Sequence, residues 1–225
     1  MSAPSLTAPV CVVAGAGPGM GLAIARRFAR DGYAIGLIAR RREPLQAAAA
    51  TMAGAPRVEV EAADLSDPIA AAGAVRTLAG RLGAPDVLVY NAATWNAVPA
   101  MAMTPEQFRA DLDLCVTGAL ACAQAAYPAM RARGSGSLLF TGGGLALRPE
   151  FGAGVAGLTA GKSALRGLVF ALAGELAPEG IHVGTVTIAG QVAPGTSFDP
   201  ENIAEAFAAL HVEPRGGWSI ERIFA

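Results

Sequence analysis

The densest run of chemistry-bearing residues is Gly15-Ala16-Gly17-Pro18-Gly19-Met20-Gly21. Glycines at this density let a backbone turn sharply and approach a ligand closely. Where such a loop opens a helix, the free N–H groups of its first turn face an anion. The run follows an apolar stretch, Pro9–Ala14, and precedes Leu22–Ala29, whose apolar residues recur at helical spacing. Strand, glycine turn and helix in that order form the context in which three glycines bind a phosphate-bearing ligand. Gly15 serves the turn out of the strand. Gly19 and Gly21, on either side of Met20, serve the approach to a pyrophosphate and the packing of helix on sheet. Two cations add to the set: Arg40, at the end of a second apolar run, and Lys162, in a segment dominated by small and apolar residues. Cys11, Cys115 and Cys122 are an odd set without metal-ligand spacing and read as reduced core thiols, so no metal site is expected.

These residues need a frame, and the chain supplies alternating elements. Strands are expected at Pro9–Ala14, Tyr33–Ala39, Arg57–Ala62, Asp86–Tyr90, Gly136–Thr141 and Ile181–Ile188. Helices are expected over Glu43–Met52, from Pro68 to Leu82 behind the cap Asp67, from Thr104 to Arg133 with a kink at Pro128, and over Gly154–Ala177. A short helix Pro200–Leu210 after Asp199 and a last edge strand Trp218–Phe224 are expected in the tail. Continuous apolar strands alternating with helices imply one α/β domain over residues 1–225: a doubly wound parallel sheet with helices on both faces, the Rossmann arrangement. No linker or repeat marks a second domain.

Bulk properties narrow the partners. Of 225 residues, 53% are hydrophobic and 16% charged, and the net charge is −1, which argues against nucleic acid and acidic membranes as partners. No apolar run reaches a membrane span. The first residues, Met1–Thr7, show neither a basic segment nor an apolar signal core, so a cytoplasmic protein is expected.

In a doubly wound sheet the adenosine ribose sits at the end of the second strand, where a carboxylate suits the 2′-hydroxyl and an arginine suits a 2′-phosphate. That position reads Ala39-Arg40, with no carboxylate until Glu43. A guanidinium matches a phosphate through paired donors, so NADP(H) is expected in preference to NAD(H). Arg41 and Arg42 read as a solvated charge run.

The spacing Gly15-x3-Gly19-x-Gly21 resembles the glycine loop of the short-chain dehydrogenase/reductase family, with Ala14 where threonine usually stands. The resemblance runs from Val10 to Val192. It implies that Asp64 and Leu65 contact an adenine ring. Asn91-Ala92-Ala93, similar to the family's Asn-Ala-Gly, would brace the sheet and touch the nicotinamide ribose. Lys162, in Ala160-Gly161-Lys162-Ser163, would hold that ribose, and the backbone at Val192 would contact the nicotinamide amide. Homodimers or homotetramers through the long helices are implied as well.

The family's proton chemistry uses a tyrosine four residues before the lysine, a serine at the end of the fifth strand and an asparagine in the preceding helix. This chain has Leu158, Thr141-Gly142-Gly143-Gly144 and Cys115 at those places, and Val155 at the wider tyrosine spacing. Of the four, only Lys162 stands. Thr159, Thr141 and Tyr90 are nearby hydroxyls. His182 is expected in the sixth strand as a core or edge residue. His211 reads either as a cover for a substrate pocket or as a surface residue. The family's Pro-Gly after the sixth strand is replaced by Ile188-Ala189-Gly190-Gln191-Val192, and the following loop and helix are short, so an open pocket is expected. Two readings follow: an oxidoreductase acting on a small carbonyl or alcohol by a non-standard proton route, with Lys162 as its catalytic residue, or an inactive dinucleotide-binding protein that senses redox state or serves a partner.

Overall fold

Seven strands are built from the apolar runs: β1 (Val10–Ala14), β2 (Ala34–Ala39), β3 (Val58–Ala62), β4 (Val87–Tyr90), β5 (Gly136–Gly143), β6 (Ile181–Ile188) and β7 (Glu221–Phe224). The computed structural model describes residues 8–225, so the reading of the first seven residues lies outside the described part. All neighbours pair in parallel, in the order β3-β2-β1-β4-β5-β6-β7. β1 and β4 lie side by side at the centre, and from them the chain winds outward in both directions. That switch point opens a crevice at the carboxyl ends of the strands, the usual ligand position in such sheets.

Both faces are covered. The helices α3 (Pro68–Leu82), α5 (Gly118–Arg133) and α6 (Ala156–Leu176) pack on one face, over Val12, Leu88, Leu138 and Phe140. On the other lie α1 (Met20–Arg30), α2 (Arg42–Ala50) and α7 (Pro200–His211), over Val13, Leu37, Val89 and Val186. Asp67 caps α3 as expected, accepting from the N–H groups of Ile69 and Ala70. Arg26, Arg27 and Arg30 of α1 pair with Glu201 and Glu205 of α7. Such exposed pairs contribute about 0–1 kcal/mol each. Ile203, Phe207 and Leu210 are wholly buried, at roughly 1.5–3 kcal/mol per large apolar side chain. Burial therefore holds α7 in place, and the ion pairs set its register.

Three expectations are corrected. The helix expected over Thr104–Arg133 is two helices, α4 (Pro105–Leu112) and α5, joined by a π-helical segment at Asp113–Thr117. The irregularity lies there, and α5 runs on through Pro128 to Arg133. The edge strand β7 covers only Glu221–Phe224, because Trp218 instead stacks on His182 with centroids 5.0 Å apart. His211 does not line the crevice cavity and is not a free surface residue. Its ring nitrogens meet the Tyr33 hydroxyl at 2.7 Å and the Ser137 hydroxyl at 2.8 Å, at the amino ends of the strands and thus opposite the crevice. His182 is a core residue of β6, 2% exposed. Among the described residues no helix is long and apolar enough to cross a membrane, and no group of side chains is arranged to hold a metal ion.

Candidate active site at the sheet switch point

The glycine loop joins β1 to α1 over the crevice. Gly15 has φ +92°, and a Cβ there would lie 2.5 Å from the backbone nitrogen of Ala92, so its lack of a side chain is a packing requirement. Gly21 is buried against the backbone of Gly15 and Ala16, where a Cβ would overlap the Gly15 carbonyl. Gly17 and Gly19 face open space with nothing within 4 Å. Gly19 is the N-cap of α1 and offers no capping side chain, which leaves the N–H groups of Met20 and Gly21 free for an anion, while the Leu22 N–H donates to the Gly17 carbonyl at 3.1 Å. The four glycines thus divide into two that let the loop pack and two that leave room in front of it. Met20, the first residue of α1, packs into the core rather than into this space.

In front of the loop is a cavity of about 550 Å³. Arg40 stands on its wall where β2 ends, exposed, with no hydrogen bond or ion pair among the described residues. Arg42, by contrast, is tied to Glu61 at 3.4 Å. Asp64 and Leu65 line the same wall past the end of β3. Asp64 accepts from the Ser66 N–H at 3.0 Å and from the Ser66 hydroxyl at 2.7 Å. These bonds hold its carboxyl below the ordinary carboxylate range, with the charge of Arg40 adding to the effect. Asn91, Ala92 and Ala93 form the floor.

Lys162 lies on α6, 7% exposed, and its Nζ donates to the carbonyl of Thr141 at 2.6 Å. Burial lowers its pKa from the usual lysine value, with Cys115 acting weakly the other way. The Thr141 hydroxyl donates to Asn91 Oδ1 at 2.8 Å, and Asn91 Nδ2 donates to the Gly15 carbonyl at 2.9 Å. One chain of hydrogen bonds therefore runs from α6 across the ends of β5, β4 and β1 to the glycine loop. One turn before Lys162, Leu158 is buried in a small apolar cluster with Cys115 and Val155, and Leu145 packs against it. A Cβ at Gly143 would lie 3.4 Å from Lys162 Cγ.

The neighbouring hydroxyls are all engaged. Tyr90 donates to the Leu114 carbonyl at 2.5 Å, and burial drives its pKa up. Thr159 donates to the Val155 carbonyl at 3.0 Å. The other two tyrosines are bound elsewhere, Tyr33 to His211 and Tyr127 to Glu179. Cys115 lies in the π segment, wholly buried, and burial raises its thiol pKa against the opposing charge of Lys162. The loop after β6 carries Val192 exposed, outside the cavity lining.

Asp111 and Asn96 are among the lining residues that lie outside the sequence-based set. Asp111, in the last turn of α4, is 1% exposed. Its Oδ1 accepts from Asn96 Nδ2 at 2.6 Å, and its Oδ2 has no partner among the described residues. Leaving a buried acceptor unmet costs about 1–3 kcal/mol. In the sequence Asp111 is simply one residue of the helix expected over Thr104–Arg133, and its setting follows only from the packing of α4 on α6.

Comparison with known proteins agrees with this geometry. Residues 9–198 match the profile of the family described as short chain dehydrogenase. The chain is 31% identical over 183 residues to the oxidoreductase asL5 of Sarocladium schorii, covering 81% of this chain and 72% of that protein. To the 3alpha-hydroxysteroid dehydrogenase of Mediterraneibacter gnavus it is 26% identical over 223 residues, covering 89% and 88%. A metagenomic short-chain oxidoreductase solved in complex with NADP superposes with a TM-score of 0.84 at 29% identity, covering 97% of each chain. L-sorbose reductase from Gluconobacter frateurii, complexed with NADPH and L-sorbose, superposes with a TM-score of 0.85 at 26% identity, covering 97% and 95%.

Proposed function

The chain belongs to the short chain dehydrogenase family, and from that membership we propose an NADP(H)-dependent oxidoreductase acting on a small carbonyl or alcohol without a tyrosine as proton donor. The observation that carries the proposal is the cavity itself. Its glycine cradle leaves open space at Gly17 and Gly19, and an unpaired Arg40 stands where a 2′-phosphate belongs. The residues present fit the cofactor: Gly15, Gly19, Met20 and Gly21 at the pyrophosphate, Arg40 at the ribose phosphate, Asp64 and Leu65 at the adenine. Asn91, Ala92, Ala93, Lys162 and Val192 are assigned to the nicotinamide half. The solved relatives that carry NADP or NADPH support the same choice.

When bound, the cofactor supplies or accepts hydride, and the protein's part is positioning and proton management. Lys162 holds three N–H donors, one of them fixed on Thr141. The remaining two serve a ribose and a substrate oxygen. With Tyr90, Thr159 and Thr141 already donating to protein acceptors, and the Cys115 thiol beside Leu158 kept protonated by burial, Lys162 is the side chain assigned to deliver a proton. Its lowered pKa suits that role. Homodimers or homotetramers through α5 and α6 belong to the same proposal, as does a cytoplasmic location.

The test is a fluorescence titration of Trp95 and Trp218 with NADPH and NADH, followed by a carbonyl panel. Tight NADPH binding, weak NADH binding and turnover that falls on Lys162→Met support the proposal. NADPH binding without turnover on any carbonyl would leave a dinucleotide-binding protein. Binding of neither coenzyme would sink the proposal.

A further inference from the structure

We infer that the corner formed by Asp111 and Asn96 is a substrate-recognition subsite, which accepts a hydrogen bond from a hydroxyl or ammonium group carried away from the reacting carbon. The inference rests on the oxidoreductase reading above and names the chemistry of its substrate.

Three observations converge. First, the carboxyl is oriented but unfinished: Asn96 Nδ2 holds one oxygen at 2.6 Å, while the other, buried, has no partner among the described residues. A carboxylate has about four acceptor positions, so the acceptor capacity left over is large. Second, α6 makes room for it. A Cβ at Gly157 would overlap Asp111 Oδ2, and a Cβ at Gly161 would lie 2.7 Å from Cys115 Cβ. A helix that carries glycine at both positions gives up intrinsic helix stability. The space at Gly157 holds the carboxyl between α4 and the helix of Lys162, and that at Gly161 holds Cys115. Third, both Asp111 and Asn96 line the same cavity as the glycine loop and Arg40. No lysine or arginine is ion-paired with Asp111 among the described residues, and Lys162 spends its hydrogen bond on Thr141. Oδ2 is enclosed against Gly157, so a ligand reaches the carboxyl only by displacing the exposed Asn96, and it then supplies the missing donor itself.

A purely structural role has a different signature. The first turn of α6 lies beside Asp111, and a helix start favours a nearby carboxylate. If that were the whole function, removing the carboxyl would lower stability and leave ligand preference unchanged.

The experiment measures affinity, not turnover. Protein saturated with NADPH is titrated calorimetrically with three alcohols of matched size: 4-methylcyclohexanol, 1,4-cyclohexanediol and 4-aminocyclohexanol. The diol and the amino alcohol are expected to bind at least about tenfold tighter than the methyl compound, the gain of a charge-assisted hydrogen bond. The difference between those two tells hydroxyl from ammonium as the preferred donor. In Asp111→Leu all three should bind alike. Equal binding by the wild type overturns the inference, as does no binding of the diol and the amino alcohol. So does a preference that survives Asp111→Leu. Failure of the parent reading is seen separately, as absence of NADPH binding in the first step.

Discussion

Lys162 and Gly15 are joined by three consecutive hydrogen bonds, through the carbonyl and hydroxyl of Thr141 and the amide of Asn91. Two elements that the sequence separates widely are thereby fixed in one frame, the lysine helix and the phosphate loop. Asn91→Ala removes the middle link, leaving the Thr141 hydroxyl without its acceptor and the Gly15 carbonyl with the Gly17 N–H alone. The expected loss is about 1–3 kcal/mol, seen as a lower urea midpoint at unchanged slope. Thr141→Val breaks the same chain, so the two losses should combine less than additively, which a double-mutant cycle measures.

Two glycines of the loop should separate folding from binding. Gly15→Ala places a Cβ 2.5 Å from Ala92 N at φ +92°. Strain at such a backbone costs about 1–3 kcal/mol before the overlap is counted. Gly19→Ala meets nothing within 4 Å, so stability should stay within about 0.5 kcal/mol, while the new methyl enters the space meant for the pyrophosphate. Thermal denaturation should single out Gly15→Ala. NADPH titration of the still-folded Gly19→Ala should show the weaker binding.

Arg40 is exposed and makes no hydrogen bond or ion pair among the described residues, so its removal should change stability little. A charge-assisted bond to a phosphate is worth about 1.5–3 kcal/mol, or roughly ten- to a hundredfold in affinity. Arg40→Ala is expected to weaken NADPH by that factor and NADH hardly at all. Equal losses for both coenzymes would remove the basis for reading a 2′-phosphate site at the end of β2.

How far the sequence speaks follows from the range of the forces involved. The strand–turn–helix at Val10–Arg30 is legible because a buried parallel strand is apolar throughout and glycines announce a turn. The cap at Asp67 is legible because its partners, Ile69 and Ala70, are neighbours in the chain. The π segment at Asp113–Thr117 leaves no such mark: it turns Cys115 inward between α4 and α5, and nothing in the local spacing favours it over a regular turn. His211 is misread because its partners, Tyr33 and Ser137, lie far away in sequence and meet it only when α7 docks on the sheet. Asp111 is illegible for the same reason, its setting being made by Gly157 on another helix.

Two histidines, His182 buried and His211 half-buried, set a pH dependence. His211 is held below the ordinary histidine value by burial, with His182 adding to the effect and Asp86 and Asp31 opposing it. His182 is lowered by burial too, against its bond to the Ser219 carbonyl and the charge of Glu213. Both groups take up a proton more readily in the unfolded chain, where the pKa is about 6.5. Stability should therefore rise with pH through the window between the depressed folded values and about 6.5, and level off above it. Urea midpoints taken between about pH 5 and pH 7.5 test this. His211→Gln should flatten part of the slope, and an unchanged slope would assign it to other groups.

The last prediction concerns the residue one turn before Lys162. Leu158 is 8% exposed and packs on Cys115 and Val155, so a tyrosine there must displace part of that cluster. Overpacking of this kind costs about 1–3 kcal/mol, which a domain of ordinary stability tolerates. The i, i+4 spacing then brings a phenol beside Lys162 on one face of α6. A positioned general acid is worth about 10²–10⁴-fold in rate. If Lys162 now works without such a partner, Leu158→Tyr should raise kcat for carbonyl reduction by about that factor while leaving NADPH affinity in place. Gly143→Ser, whose Cβ would sit 3.4 Å from Lys162 Cγ, should add to the gain by offering a second hydroxyl to the substrate oxygen. A folded, NADPH-binding Leu158→Tyr protein with no gain on any carbonyl would show that the apolar cluster around Leu158 has closed the position to substrate. The reacting group would then have to approach from the Asp111 side of the cavity.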